Sequence, residues 1–196
     1  MRNGIQLIVI GLATCVFACS DPKNEQPNNQ YMVDLLAQRH SVVNPLDMQY
    51  YYNSKRASVY DSLRKNTDPK STDYVFMSYW FFRETLNSGN TEKAIELIKP
   101  FLENLYKKPG VAEQEISFFE RLLATAYIRL GEQENCIINH GSASCIIPIA
   151  PAGFHTIRTG SEKAILILER MLKKLPNDLE LKWLLNIAYQ TLGEYP

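Results

Sequence analysis

Leu123-Ala-Thr-Ala126-Tyr127-Ile-Arg-Leu-Gly131-Glu132 and Leu185-Asn-Ile-Ala188-Tyr189-Gln-Thr-Leu-Gly193-Glu194 are two copies of one pattern, L-x-x-A-Y-x-x-L-G-E. In a helix the alanine lets a neighbouring helix come close, and the tyrosine fills the groove beside it. The glycine accepts the left-handed position at which a helix stops. Working outward, apolar residues from Tyr31 onward recur at helical spacing, and no stretch alternates as a strand would. Asn44-Pro45 opens a helix expected to reach Asn66, with asparagine as cap and proline in the first turn. Further helices are expected from Thr72 to Asn87, from Thr91 (as cap) to Lys107, and from Val111 to Leu130, the last ending at Gly131. Ser161 is expected to cap a helix that Pro176 stops, and Asp178 the final one, which ends at Gly193. The fold class is therefore all-α, built of antiparallel helix pairs.

A second repeated signature completes the pattern. Glu92-Lys-Ala94-Ile and Glu162-Lys-Ala164-Ile each open the helix that follows a turn, and Pro176 follows the later one. This arrangement resembles the tetratricopeptide unit, with glycine at its turn, alanine early in its second helix and proline after it. The resemblance implies an α-solenoid, or superhelix, over residues 31–196, interrupted by one long irregular insertion over residues 132–159.

Composition narrows the function. The 196 residues carry 21 basic and 21 acidic side chains, so no electrostatic surplus draws the chain to nucleic acid. The 45% hydrophobic content suffices for one domain with a core. Eleven of the 21 aromatics lie between residues 31 and 82, including Tyr50-Tyr51-Tyr52 and Tyr79-Trp80-Phe81-Phe82. Four consecutive aromatics point around a helix, which favours burial over a stacking platform for sugars or peptides. No acid, serine or second base stands at a spacing that suggests a triad, so no enzymatic activity is expected.

The first thirty residues read as an address. Arg2 precedes a twelve-residue apolar run, Leu7 to Ala18, which is too short to cross a bilayer and suits a signal peptide over residues 1–18. Val16-Phe-Ala-Cys19 resembles the lipobox of bacterial lipoproteins, which implies acylation at Cys19 and an outer-membrane location; Cys15, after Thr14, is the rival position. Residues 19–30 hold no large apolar side chain and two prolines, and read as a disordered lipidated tether.

In the insertion, the only charged side chain after Glu134 is Arg158. A stretch this long without helix signals is often functional. Cys136 and Cys145 are the only cysteines beyond the signal region, and a disulfide between them would close a ten-residue loop. Two further readings stay open: a metal or haem held by Cys136, His140, Cys145 and His155, whose spacing matches no common zinc pattern, and free thiols. No cofactor is assigned. His140, Pro148 and His155 are the residues of this segment taken as an interaction or ligand loop.

Cys136…His140…Ser144-Cys-Ile-Ile-Pro-Ile149…Gly153-Phe-His155…Gly160-Ser…Trp183-Leu-Leu-Asn-Ile-Ala-Tyr189…Leu-Gly-Glu-Tyr-Pro196 carries a more specific likeness. It resembles the tetratricopeptide region preceding the propeller in bacterial FG-GAP/VCBS-repeat proteins with an ASPIC/UnbV domain, which are similar to cartilage acidic protein. The likeness spans roughly Leu122 to Pro196. It implies that a propeller follows and that this chain is the N-terminal part of a longer protein; it implies no activity. The sequence thus points to a non-enzymatic lipoprotein module for protein–protein interaction, its partner another protein or a downstream propeller. An outer-membrane solute-binding lipoprotein for glycans or peptides is the alternative, and a metal or haem protein the third.

Overall fold

The computed structural model describes residues 29–48, 50–138, 141, 143 and 147–195, without side chains at 136–138. The segment expected to be a signal peptide, Cys19 and nearly all of the expected tether lie outside the described residues. Every regular element described is helical. Two compact units divide at residues 47 and 48. The first contains α1 (Asn29–Val42) and a 3₁₀ turn at Pro45–Asp47. No residue of α1 is buried; Tyr31, Met32, Val33, Leu36 and Val42 are all exposed.

Among the described residues the second unit holds six α-helices: α2 (Asn53–Lys65), α3 (Thr72–Asn87), α4 (Thr91–Lys107), α5 (Glu113–Ile138), α6 (Thr159–Lys174) and α7 (Leu179–Leu192). Each packs on the next, and α3 also meets α5 as α5 meets α7. The buried residues of α4 (Ala94, Ile95, Ile98, Leu102 and Leu105) lie on one face, as do Ala164, Ile165, Leu168 and Met171 of α6. Ala94, Ala126, Ala164 and Ala188, the four small residues of the repeated signatures, have no exposed surface. An aromatic stack joins the layers, with Phe101 4.8 Å from Phe119 and 5.3 Å from Phe82 between ring centroids. Between α2 and α3 lies a buried ion pair, Arg56 Nε to Glu84 Oε2 at 3.2 Å.

The helix ends show which sequence signals acted as read. Ser71 Oγ accepts from the Tyr74 N–H and Asp178 Oδ1 from the Leu181 N–H, so α3 and α7 carry side-chain N-caps. Gly89 and Gly193 take positive φ, +88° and +70°, in the turns that end α3 and α7.

Four expectations are corrected. The helix expected from Asn44 to Asn66 is broken: Asn44 Oδ1 caps only the 3₁₀ turn through the Leu46 N–H. Tyr52, before α2, is left-handed at φ 57°, a conformation that a right-handed helix cannot contain. Thr91 is not the cap of α4; Asn90 holds that position, and the Thr91 side chain is buried in the first turn. Gly131 does not end α5, which continues for seven residues to Ile138. Ser161 is not the cap of α6, because the helix begins at Thr159 and turns this serine into the core.

Candidate functional site

Gly131 and Gly160 explain why α5 outruns its expected end. A Cβ on Gly160 would lie 2.6 Å from both the Tyr127 carbonyl oxygen and the Gly131 nitrogen. The two backbones therefore touch here, and only glycine admits that approach. Gly131 faces a buried polar chain instead of solvent, with His155 Nδ1 3.2 Å and Ser161 Oγ 3.3 Å from where its Cβ would stand.

That chain has one consistent direction. The Thr191 hydroxyl donates to the Ala188 carbonyl at 2.7 Å, so its oxygen accepts from Ser161, also at 2.7 Å. Ser161 Oγ in turn accepts from His155 Nδ1 at 3.1 Å. The imidazole is therefore the neutral Nδ1–H form, and burial lowers its proton affinity below the ordinary value of 6.5. A nucleophile–base pair needs the opposite direction, serine donating to histidine. His155 thus anchors the insertion: its own N–H also donates to the Thr191 carbonyl at 2.7 Å.

Asn135 holds the segment from the other side. Its amide donates to the Gly131 and Ile157 carbonyls at 2.7 and 2.9 Å, and its oxygen accepts from the Ile157 N–H at 2.9 Å. The Arg158 guanidinium bonds Glu162 at 3.0 Å and also Glu194. The Phe154 ring covers Gly193, where a Cβ would lie 2.4 Å from it. Residues 153–158 are thereby fixed to the ends of α5 and α7. Pro148 is exposed. Cys136 occupies the last turn of α5, but its side chain, His140 and Cys145 lie outside what is described, and the disulfide and metal readings lie there with them. Among the described residues no cluster of three or more His, Cys, Asp or Glu could hold a metal.

The second feature was not read from the sequence. A cleft of about 500 Å³ opens between Tyr79 and Arg83 of α3 and Phe118, Arg121, Thr125 and Arg129 of α5, with Glu180 of α7 at its edge. Residues 118, 121, 125 and 129 recur at helical spacing and share one face, but their mixed chemistry looks like an ordinary solvated surface until α3 is placed opposite. The rings of Tyr79 and Phe118 lie 6.0 Å apart. The Arg83 guanidinium sits over the Trp80 ring, 4.7 Å from its centroid. Arg121 bonds Glu180 at 2.9 Å and also Asp178, which it holds down to about 2. A second cleft, about 450 Å³ between α5 and α6, shares Phe118 and Arg121. It is bordered by the Lys174–Glu113 pair at 2.7 Å and by Glu120, which accepts from Tyr106 at 2.5 Å and Arg170 at 3.0 Å.

No family model, curated protein or solved structure matches the chain.

The aromatic-rich segment divides. Phe82 is 2% exposed, as burial requires, and Trp80 is half-buried, stacked on Tyr60 at 5.7 Å. Tyr50 and Tyr51, in contrast, are 77% and 65% exposed, and Phe76 is 53% exposed. The expectation of burial is corrected for Tyr50 and Tyr51, because they precede α2 and have no helix packed over them. Among the described residues no helix is long and apolar enough to cross a membrane.

Proposed function

We propose that this chain is a non-enzymatic tetratricopeptide-like module that binds a protein partner in the cleft between α3 and α5. The observation that carries the reading is that cleft: aromatic rings and guanidinium groups supplied by two sequence-distant helices held side by side. The buried alanines at matching places in both signatures, and the stepwise packing of α2 to α7, support a repeat array with α3, α5 and α7 along one side. In this proposal Cys19 is lipidated, the tether holds the module at the outer membrane, and the module forms the N-terminal part of an FG-GAP, ASPIC/UnbV-type protein. The insertion closes the contact between α5, α6 and α7.

A photo-crosslinking side chain at Thr125 tests the assignment. The expected result is a discrete protein adduct that the same side chain at Leu166, exposed on α6 outside the cleft, does not give. Equal adducts from both positions would count against the cleft.

The exposure of Tyr50, Tyr51 and Phe76 favours a second reading, a solute-binding lipoprotein that stacks sugar rings on exposed aromatic side chains. Retardation of the chain in gels containing soluble glycans, abolished by Tyr50→Ala with Tyr51→Ala, is the result that would support it.

A further inference from the structure

We propose that the cleft between α3 and α5 selects an extended acidic peptide segment, its carboxylates paired with Arg83 and Arg129 and an apolar side chain seated on the Tyr79 and Phe118 rings. This rests on the reading of the cleft as the partner site and adds the partner's chemistry.

The charges decide it. Three arginines line the cleft against one carboxylate, Glu180. Arg121 is already satisfied, since Glu180 and Asp178 hold it from the start of α7. Arg83 and Arg129 have no ion pair among the described residues, and they stand on opposite walls. Arg83 is prepared for a carboxylate. Its guanidinium lies over the Trp80 ring, 4.7 Å from the centroid, and a planar guanidinium fork takes a carboxylate with two parallel hydrogen bonds. On the Arg129 wall, the acidic neighbour on the same helix is Glu132. Glu132 feels Arg129 electrostatically, and burial pushes its carboxyl up, but it forms no ion pair with Arg129 among the described residues.

The floor between the two cations is apolar, formed by Tyr79 and Phe118, with Phe118 47% exposed. A polymer of phosphates alone would leave those rings unused, and the zero formal charge of the chain does not draw it to nucleic acid. A peptide alternating carboxylate and apolar side chains uses both features, because successive side chains of an extended strand point to opposite sides. Arg121 supplies the precedent, being an arginine of this same cleft that binds two carboxylates of the chain itself.

The test uses the mature chain and three fluorescein-labelled dodecapeptides, in which Leu and Phe alternate with Glu, with Gln or with Lys, followed by anisotropy. The Glu peptide is expected to bind tightest. Arg83→Gln and Arg129→Gln should each weaken it about tenfold without changing the helical circular dichroism, the scale of one lost charge-assisted contact. Raising the salt from low to high should also weaken it. In a Trp183→Phe background Trp80 is the sole tryptophan, and its emission should change on adding the Glu peptide.

If the Gln peptide binds as tightly as the Glu peptide, the acidic assignment is overturned and the cleft remains the partner site. If no peptide binds, both fail. Binding of phosphatidylglycerol vesicles in place of the Glu peptide, lost in Arg83→Gln, would assign the cleft to anionic lipid and overturn the peptide.

Discussion

Gly160→Ala inserts a methyl group where α6 lies closest to α5. The new Cβ would meet the Tyr127 carbonyl oxygen and the Gly131 nitrogen at 2.6 Å and the Gly131 Cα at 2.8 Å. All three are backbone atoms of one helix, so no side chain can turn aside. Reaching an ordinary contact of 3.4 Å requires the helices to part by about 0.8 Å, the difference between 3.4 and 2.6 Å. A gap of that size forfeits roughly a quarter to a half of each dispersion contact across it, and such overpacking costs about 1–3 kcal/mol. The gain from replacing glycine by alanine in a helix is at most about 1 kcal/mol, and less in a first turn. Beyond the methyl itself, the movement would pull Ser161 from Thr191 and loosen the hydrogen bond from His155. The net expectation is a loss of about 2 kcal/mol, read as a lower urea midpoint by circular dichroism at 222 nm with an unchanged slope. Gly131→Ala is the control, because its Cβ would meet only side-chain atoms at 3.2–3.4 Å, and its effect should stay within about 1 kcal/mol of zero. If Gly160→Ala were as stable as the parent, or if Gly131→Ala were the more damaging, the backbone contact between α5 and α6 would not be the one described.

Glu84→Gln removes the charge from one side of the buried Arg56–Glu84 pair, and a loss of about 3–5 kcal/mol is expected in urea unfolding; a loss under about 1 kcal/mol would contradict an ion pair buried between α2 and α3. His155 has a folded-state proton affinity below that of the unfolded chain, so the unfolded state binds more protons as pH falls through 6.5. Stability is therefore complete above that value and declines below it, and His155→Asn should flatten the fall in urea midpoint between pH 7.5 and 5.5; an unchanged pH slope in the variant would remove His155 as its source. Ser161→Ala deprives His155 Nδ1–H of its acceptor and the Thr191 hydroxyl oxygen of its donor, and should lower stability by about 1–3 kcal/mol, whereas a cap exposed to solvent would cost less.

The sequence carried the helix order well where a single mechanism stands behind each signal. Asp178 and Gly193 act locally, through a side chain on the next turn and a φ that only glycine adopts freely, and both were legible. Gly131 and Gly193 occupy the same place in two copies of one motif yet do different work. At Gly193 the missing Cβ permits a positive φ, and at Gly131, within a continuous α5, it leaves room for the His155 and Ser161 side chains. Sequence alone gives the missing Cβ and not the reason for it. Ser161 misled in the same way: a serine before Glu-Lys-Ala looks like a cap until His155 and Thr191 are found beside it.

The insertion was visible as an anomaly, whereas its attachment through Asn135 and Ile157 joins residues 22 positions apart and leaves no periodic trace. Arg83 and Arg129 were less legible still. Each is a single arginine beside apolar residues, Phe82 before Arg83 and Ile128 and Leu130 around Arg129, and only the side-by-side packing of α3 and α5 makes one site of them.

Hydrogen–deuterium exchange of the full chain, with and without the alternating Glu peptide at saturation, reports directly on occupation of the cleft between α3 and α5. Added protection is expected only at residues 79–87 of α3 and 118–129 of α5, with α6 unchanged. Protection at residues 50–52 instead, or on α6 with the cleft unaffected, would contradict it.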